Sequence, residues 1–169
     1  MKPSDVKELK AKKAIFLFPG FRGLTWKGTV YCKYKTDIQL INFSDNINSD
    51  FESHEMIHVR QAESTKNSWF CFYTLYLLYW IINLPLLITG LYMPYYFIPF
   101  ELEAMANETN HDYPTHGAVY EWKEYKKFSF KEKYKLAKLY NETYKPKKKG
   151  FKQFVREVVS KLIINLKIF

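Results

Sequence analysis

The sequence predicts an α+β fold, mainly helical, with a small N-terminal antiparallel sheet and a basic helical C-terminal tail. Three observations predict it. Runs of β-branched and aromatic residues with strand character lie only ahead of Phe43. A helix-opening capping box, Ser49-Asp-Phe-Glu52, follows, and after it the apolar residues recur at helical spacing. Charge then divides the chain: residues 1–117 hold 11 Lys+Arg and 12 Asp+Glu, net −1, whereas residues 118–169 hold 15 and 5, net +10. We therefore expect a near-neutral body over 1–117 and a basic tail over 118–169, with a second break at the lysine-rich linker Lys145 to Gly150. With 169 residues, 47% apolar and 19% aromatic, the chain can bury a real core. Only 6 Gly and 7 Pro exclude collagen-like repeats and Gly/Ser linkers.

Taken in order, residues 5–13 read as a short lysine-rich helix, and Ala14-Ile-Phe-Leu-Phe18 as a buried strand ended by Pro19-Gly20. Thr29 to Lys35 and Ile38 to Phe43 alternate in part and read as two further strands, separated by Thr36-Asp37. The capping box opens a helix from about Asp50 to Thr65. Residues 69–100 carry no charged side chain, and Pro85 divides them. Neither piece reaches the ~20 residues that a straight transmembrane helix needs, so two aromatic-rich core helices compete with a tilted or kinked span. A helix from Phe100 to Glu108, a loop at Thr109 to Pro114, a lysine- and tyrosine-rich helix from about Tyr120 to Tyr140 and an amphipathic helix from Phe151 onward complete the chain.

The strongest chemical signal is His54-Glu55-Met56-Ile57-His58, an H-E-x-x-H pattern inside the capped helix. Positions i and i+4 share a helix face, so both imidazoles can hold one Zn²⁺. Glu55 beside them can then act as general base toward a water the metal activates. A catalytic zinc needs a third protein ligand with the fourth position left open. Phe100-Glu101-Leu102-Glu103-Ala104, on a separate helix, offers two candidates, Glu101 and Glu103.

A glutamate from a second helix, in the form E-x-E-A, resembles the ligand arrangement of gluzincin-type metallopeptidases. With Pro19-Gly-Phe-Arg-Gly23, Phe51 to Gln61 and Ile98 to Glu108, the chain resembles a group of small bacterial zincin-like proteins with an H-E-x-x-H-x-R-Q helix and an F-E-x-E-A-x-x-N-E helix. The resemblance covers about residues 15–115 and not the tail. It implies a minimal zincin-like domain with an aromatic helical hairpin over 69–100. His54, His58 and Glu101 would be metal ligands, Glu55 the catalytic base and a peptide or protein the substrate. Such peptidases often have Asp or Asn four residues beyond the ligand glutamate. That position here is Met105, whereas Glu103 has Asn107 at the same spacing, so Glu103 remains the alternative ligand.

His111, Tyr113 and His116 follow on a loop and are candidate donors to an oxyanion, with Glu63 and Glu108 as further candidates. If Glu101 shares a metal with His54 and His58, both ends of 69–100 return to one place, which favours a soluble or re-entrant hairpin over a single crossing. Cys32 and Cys71 lack metal-ligand spacing and read as free thiols. The run Ala14 to Phe18 is too short for a signal peptide, so the expected location is cytoplasmic, with membrane association through the tail. There Phe151, Phe154, Val155, Val158, Val159, Leu162, Ile163 and Leu166 form an apolar stripe, with Lys152, Arg156 and Lys161 opposite. A protein assembly or an anionic membrane surface fits that face, and nucleic acid is the weaker option, since no recognised binding motif accompanies the charge. The alternative to a zinc peptidase is a structural protein, a component of a phage particle or membrane complex that keeps the zincin-like fold as scaffold and resides in the virion.

Overall fold

A computed structural model describes residues 1–15, 17, 22–41, 47, 49–89, 94–116 and 121–144. The fold is α+β and mainly helical, with a three-stranded N-terminal sheet, as expected. Its strands are β1 (Lys10–Lys13), β2 (Thr25–Trp26) and β3 (Thr29–Cys32), in the order β1-β3-β2. β2 and β3 run antiparallel with Trp26 opposite Thr29, so only Lys27 and Gly28 form the turn, both at positive φ, 49° and 78°. That is the type I′ hairpin geometry, whose twist matches the strands. A Cβ on Gly28 would lie 2.9 Å from both methyl groups of Val6, so glycine is required for space as well as for its backbone angle.

Four expectations for this region are corrected. β1 pairs with β3 in parallel, so the sheet is mixed, not antiparallel throughout. The helix expected over 5–13 is a 3-10 turn at Pro3–Asp5 followed by β1. Val6 and Leu9 anchor this segment in the core, and ladder bonds to β3 outweigh the helix propensity of Lys-Ala-Lys-Lys. The strand expected at Ala14 to Phe18 is thereby displaced toward the N-terminus. Ala14 N–H still donates to the Cys32 carbonyl (2.8 Å), Ile15 is fully exposed, and residues 16 and 18 lie outside the described residues. Finally, the strand expected from Ile38 begins instead within α1, Lys35–Gln39. Its buried Asp37 is paired with Arg22 at 2.7 Å, and Ile38 and Ile41, one helical turn apart, both meet the core. That spacing imitates partial alternation in sequence.

Helix α2 (Asp50–Ser64) starts where the capping box places it, with Ser49 Oγ accepting from Glu52 N–H at 3.1 Å. Helix α3 (Trp69–Asn83) ends just ahead of Pro85, as a proline at that position requires. The chain returns through 3-10 turns at Leu84–Thr89 and Pro94–Phe97 rather than through a second long helix among the described residues. α4 (Pro99–Asn107), the short α5 (Tyr113–His116), α6 (Trp122–Lys127) and α7 (Phe130–Tyr144) follow. The single helix expected over Tyr120 to Tyr140 is thus two, because Ser129 and Glu132 form a second capping box that restarts the helix. The linker 145–150 and the amphipathic segment from Phe151 lie outside the described residues.

The core gathers Val30 and Cys32 from the sheet, Met56, Val59 and Ala62 from α2, Trp69 and Phe72 from α3, Phe100 from α4 and Trp122 from α6. Phe100 sits in the middle, 5.0 Å from Phe72 and 4.7 Å from Trp122 between ring centroids. Its burial contributes about 1.5–3 kcal/mol. Trp122 therefore packs into the body, although the charge balance changes ahead of it. By closing α2, α3 and α4 around one aromatic cluster, this core fixes the distance between the two ends of the 69–100 excursion.

Candidate metal centre

His54 and His58 lie one turn apart on α2, their rings edge to face at 4.9 Å between centroids, and both are buried. Glu101 reaches them from the first turn of α4. Its Oε2 lies 3.3 Å from His54 Nε2 and its Oε1 lies 3.2 Å from His58 Nε2. The far nitrogen of each imidazole is already engaged. His54 Nδ1 is 2.8 Å from Glu108 Oε2, and His58 Nδ1 is 2.8 Å from Gln61 Oε1.

These outer contacts settle which nitrogen faces the centre with a lone pair. Gln61 spends its amide N–H groups on the Phe100 carbonyl (2.9 Å) and on Glu103 Oε2 (2.7 Å), so its oxygen must accept and His58 Nδ1 must donate. A Glu108 carboxylate likewise takes the Nδ1 proton of His54. In the neutral imidazoles both Nε2 atoms are then acceptors, turned toward a third acceptor, the Glu101 carboxylate. Tyr76, from α3, donates to Glu101 Oε1 at 2.6 Å, whereas the buried Oε2 has no hydrogen-bond partner among the described residues. With the imidazoles neutral, two nitrogen acceptors and a carboxylate face one another with no donor between them, an arrangement that either a cation or protons on the imidazoles completes.

The spacing fits too. Ligands about 2.0–2.2 Å from a tetrahedral zinc lie about 3.3–3.5 Å from one another. The two imidazoles face different oxygens of the one carboxylate, at 3.3 and 3.2 Å, and one candidate ligand atom from each of the three residues lies within 4.8 Å of the other two, a somewhat wider triangle that a single ion could draw together. Electrostatics point the same way. Burial alone would depress His54, but the carboxylates of Glu101 and Glu108 outweigh it and raise the imidazole to about 10. His58 is raised similarly against its burial, chiefly by Glu101. Glu101, which burial would raise, is held far below the usual carboxylate range by the two imidazoles. The surrounding carboxylates therefore favour positive charge at the two imidazoles.

Glu55 is buried on the same helix, and its Oε2 accepts from Thr25 Oγ1 of edge strand β2 at 2.5 Å. Glu103, the alternative ligand, belongs to a different network: it accepts from Gln61, from Tyr113 Oη (2.9 Å) and from Glu121 N–H (3.0 Å). Of the expected oxyanion donors, Tyr113 is thus committed to Glu103, and His111 pairs with Asp50 at 2.9 Å on the surface. Glu63 pairs with Arg60, and the His116 side chain lies outside the described residues. Glu108 does join the centre, as the partner of His54. Sequence reasoning missed Gln61, Tyr76 and Thr25. Gln61 alone left a signal, since a residue three positions beyond His58 shares its helix face. No protein-family model, curated protein or solved structure matches the chain, so this geometry carries the functional reading by itself.

Proposed function

We propose that this chain is a zinc-dependent peptidase of the gluzincin type, with His54, His58 and Glu101 as metal ligands and Glu55 as general base. The observation that carries the reading is the convergence of two Nε2 lone pairs and one unsatisfied carboxylate oxygen beside a buried glutamate. When bound, zinc supplies Lewis acidity, lowering the pKa of water and polarising a carbonyl. The chain's own residues do the rest. Glu55 takes the proton from attacking water and passes it to the leaving amine, and Thr25 holds the Glu55 carboxylate by one oxygen. Glu108 and Gln61 keep the two imidazoles in the tautomer that binds metal, and Tyr76 fixes Glu101. Two histidines and a carboxylate also suit non-haem iron. Glu55, close enough to act electrostatically on both imidazoles, gives a hydrolytic zinc site its base and has no task in an iron site.

The test combines metal analysis with cleavage of fluorescein-labelled casein. Wild type should hold zinc near one equivalent and cleave. His58→Ala should lose the metal, and Glu55→Gln should keep it while losing cleavage, because that change removes a base and not a ligand. Iron in place of zinc, or no metal, refutes the proposal. Stoichiometric zinc with no cleavage in any form favours the scaffold alternative.

A further inference from the structure

Helix α3 is apolar on both faces. The inner one is used: Trp69, Phe72, Tyr73, Tyr76 and Tyr79 pack on the core, with Phe72, Tyr76 and Tyr79 around Phe100. The outer one is left open by the described residues. Phe70, Leu77, Leu78, Ile81 and Ile82 are 79, 57, 49, 51 and 60% exposed, and Thr74 is the polar residue among them. Their spacing is i, i+4, i+7, i+8, i+11 and i+12, a continuous stripe along the helix. Only Trp69 and Phe72 of its fifteen residues are fully buried, so α3 is not the core helix of an ordinary soluble domain. A stripe of this kind marks an interaction surface.

We infer that the outer face of α3 lies in the plane of an anionic lipid bilayer, without crossing it. Topology argues against a single crossing. The helical stretch Trp69–Leu86 is long and apolar enough to span by length and composition alone, but the segments at either end, α2 and α4, contribute to one buried His–Glu cluster and so lie on one side. Charge identifies the occupant. Residues 69–100 have no ionisable acid or base of the Asp, Glu, Lys or Arg type, whereas residues 118–169 carry net +10. The first part of that basic segment is tied to the hairpin, since Ala137 and Tyr140 of α7 pack with Leu86, Tyr95, Tyr96 and Phe97 on its return leg. Lys123, Lys126, Lys127, Lys131 and Lys135 are exposed. Anionic headgroups complement such a surface, whereas a second copy of this chain would bring another +9 against it. The inference does not depend on the metal, but it places Tyr76, on the opposite face of the same helix, and the centre it touches beside the lipid surface.

The test is co-sedimentation of the full chain with vesicles. Binding to phosphatidylcholine vesicles containing about a third phosphatidylglycerol should exceed binding to pure phosphatidylcholine at least tenfold and fall as salt rises. A Leu78→Glu/Ile82→Glu variant should lose that binding at least tenfold while keeping its circular dichroism. Equal binding by wild type and the double variant overturns the inference and leaves the tail as the sole lipid contact. A wild-type dimer that the double variant converts to a monomer, with no vesicle binding by either, also overturns it and assigns the face to self-association.

Discussion

Replacing Gln61 by leucine tests whether the centre is built from its outer contacts inward. Leucine keeps the volume and the helix propensity but removes the acceptor for His58 Nδ1 and the donor to the Phe100 carbonyl. An orphaned buried N–H costs about 1–3 kcal/mol, and a lost hydrogen bond to a carbonyl about 1 more. Glu103 is spared most of the loss because Tyr113 and the Glu121 amide still reach it. Stability should therefore fall by about 3 kcal/mol in urea titrations. Without its acceptor, His58 is free to rotate or to place its proton on Nε2, the nitrogen that must bind the metal. Zinc affinity should fall about 10–100-fold, the range for loss of an imidazole's hydrogen-bond partner, measured by competition with a chromogenic chelator. Glu108→Gln is the control. It retains an acceptor oxygen for His54 Nδ1 and removes only charge, so it should lose less than tenfold. A folded Gln61→Leu protein that binds zinc within twofold of wild type would refute the reasoning.

Thr25→Val should retain zinc and substrate affinity but lower kcat about tenfold, because only the anchor of Glu55 is removed; a loss of metal would show that β2 supports the ligands instead. Gly28→Ala should destabilise by about 1–2 kcal/mol from the left-handed backbone alone, with more from the contact with Val6, and an unchanged urea midpoint would refute the turn assignment. Cys32 is buried, which together with the nearby Glu55 and Asp37 carboxylates pushes its thiol up to about 11, whereas Cys71 is partly exposed. Iodoacetamide should label Cys71 in the native protein and Cys32 only after denaturation, as read by peptide mass spectrometry.

What the sequence made legible was local. The Ser49 cap, the proline limit on α3 and the i, i+4 histidines are each set within a few residues, and each is found where expected. Near the N-terminus β3 falls within the strand expected over Thr29 to Lys35, but the rest was not legible, because pairing overrode propensity. Lys10–Lys13 has the composition of a helix and becomes a strand through the parallel ladder offered by Thr29–Cys32. Ile38 and Ile41 have the composition of a strand, and the buried Asp37 with its Arg22 partner draws the backbone into a helical turn instead. In both cases the deciding contact comes from fifteen or more residues away, beyond the reach of a periodicity argument.

The centre divides in the same way. Spacing alone placed His54 and His58 on one face, but the choice between Glu101 and Glu103 depends on how α4 is turned about its axis. That rotation is set by Phe100 and Leu102, both fully buried. With these two in the core, Glu101 meets the imidazoles and Glu103 meets Gln61, so the two glutamates act at different depths of one network. Gln61 joins them: it accepts from His58 on its own helix and donates to the Phe100 carbonyl and Glu103 on the other. The side chain that orients one proposed ligand also fastens the helix that delivers another. Folding of the α2–α4 contact and assembly of the centre are therefore a single event, and a substitution at Gln61 must register in stability and in metal affinity together.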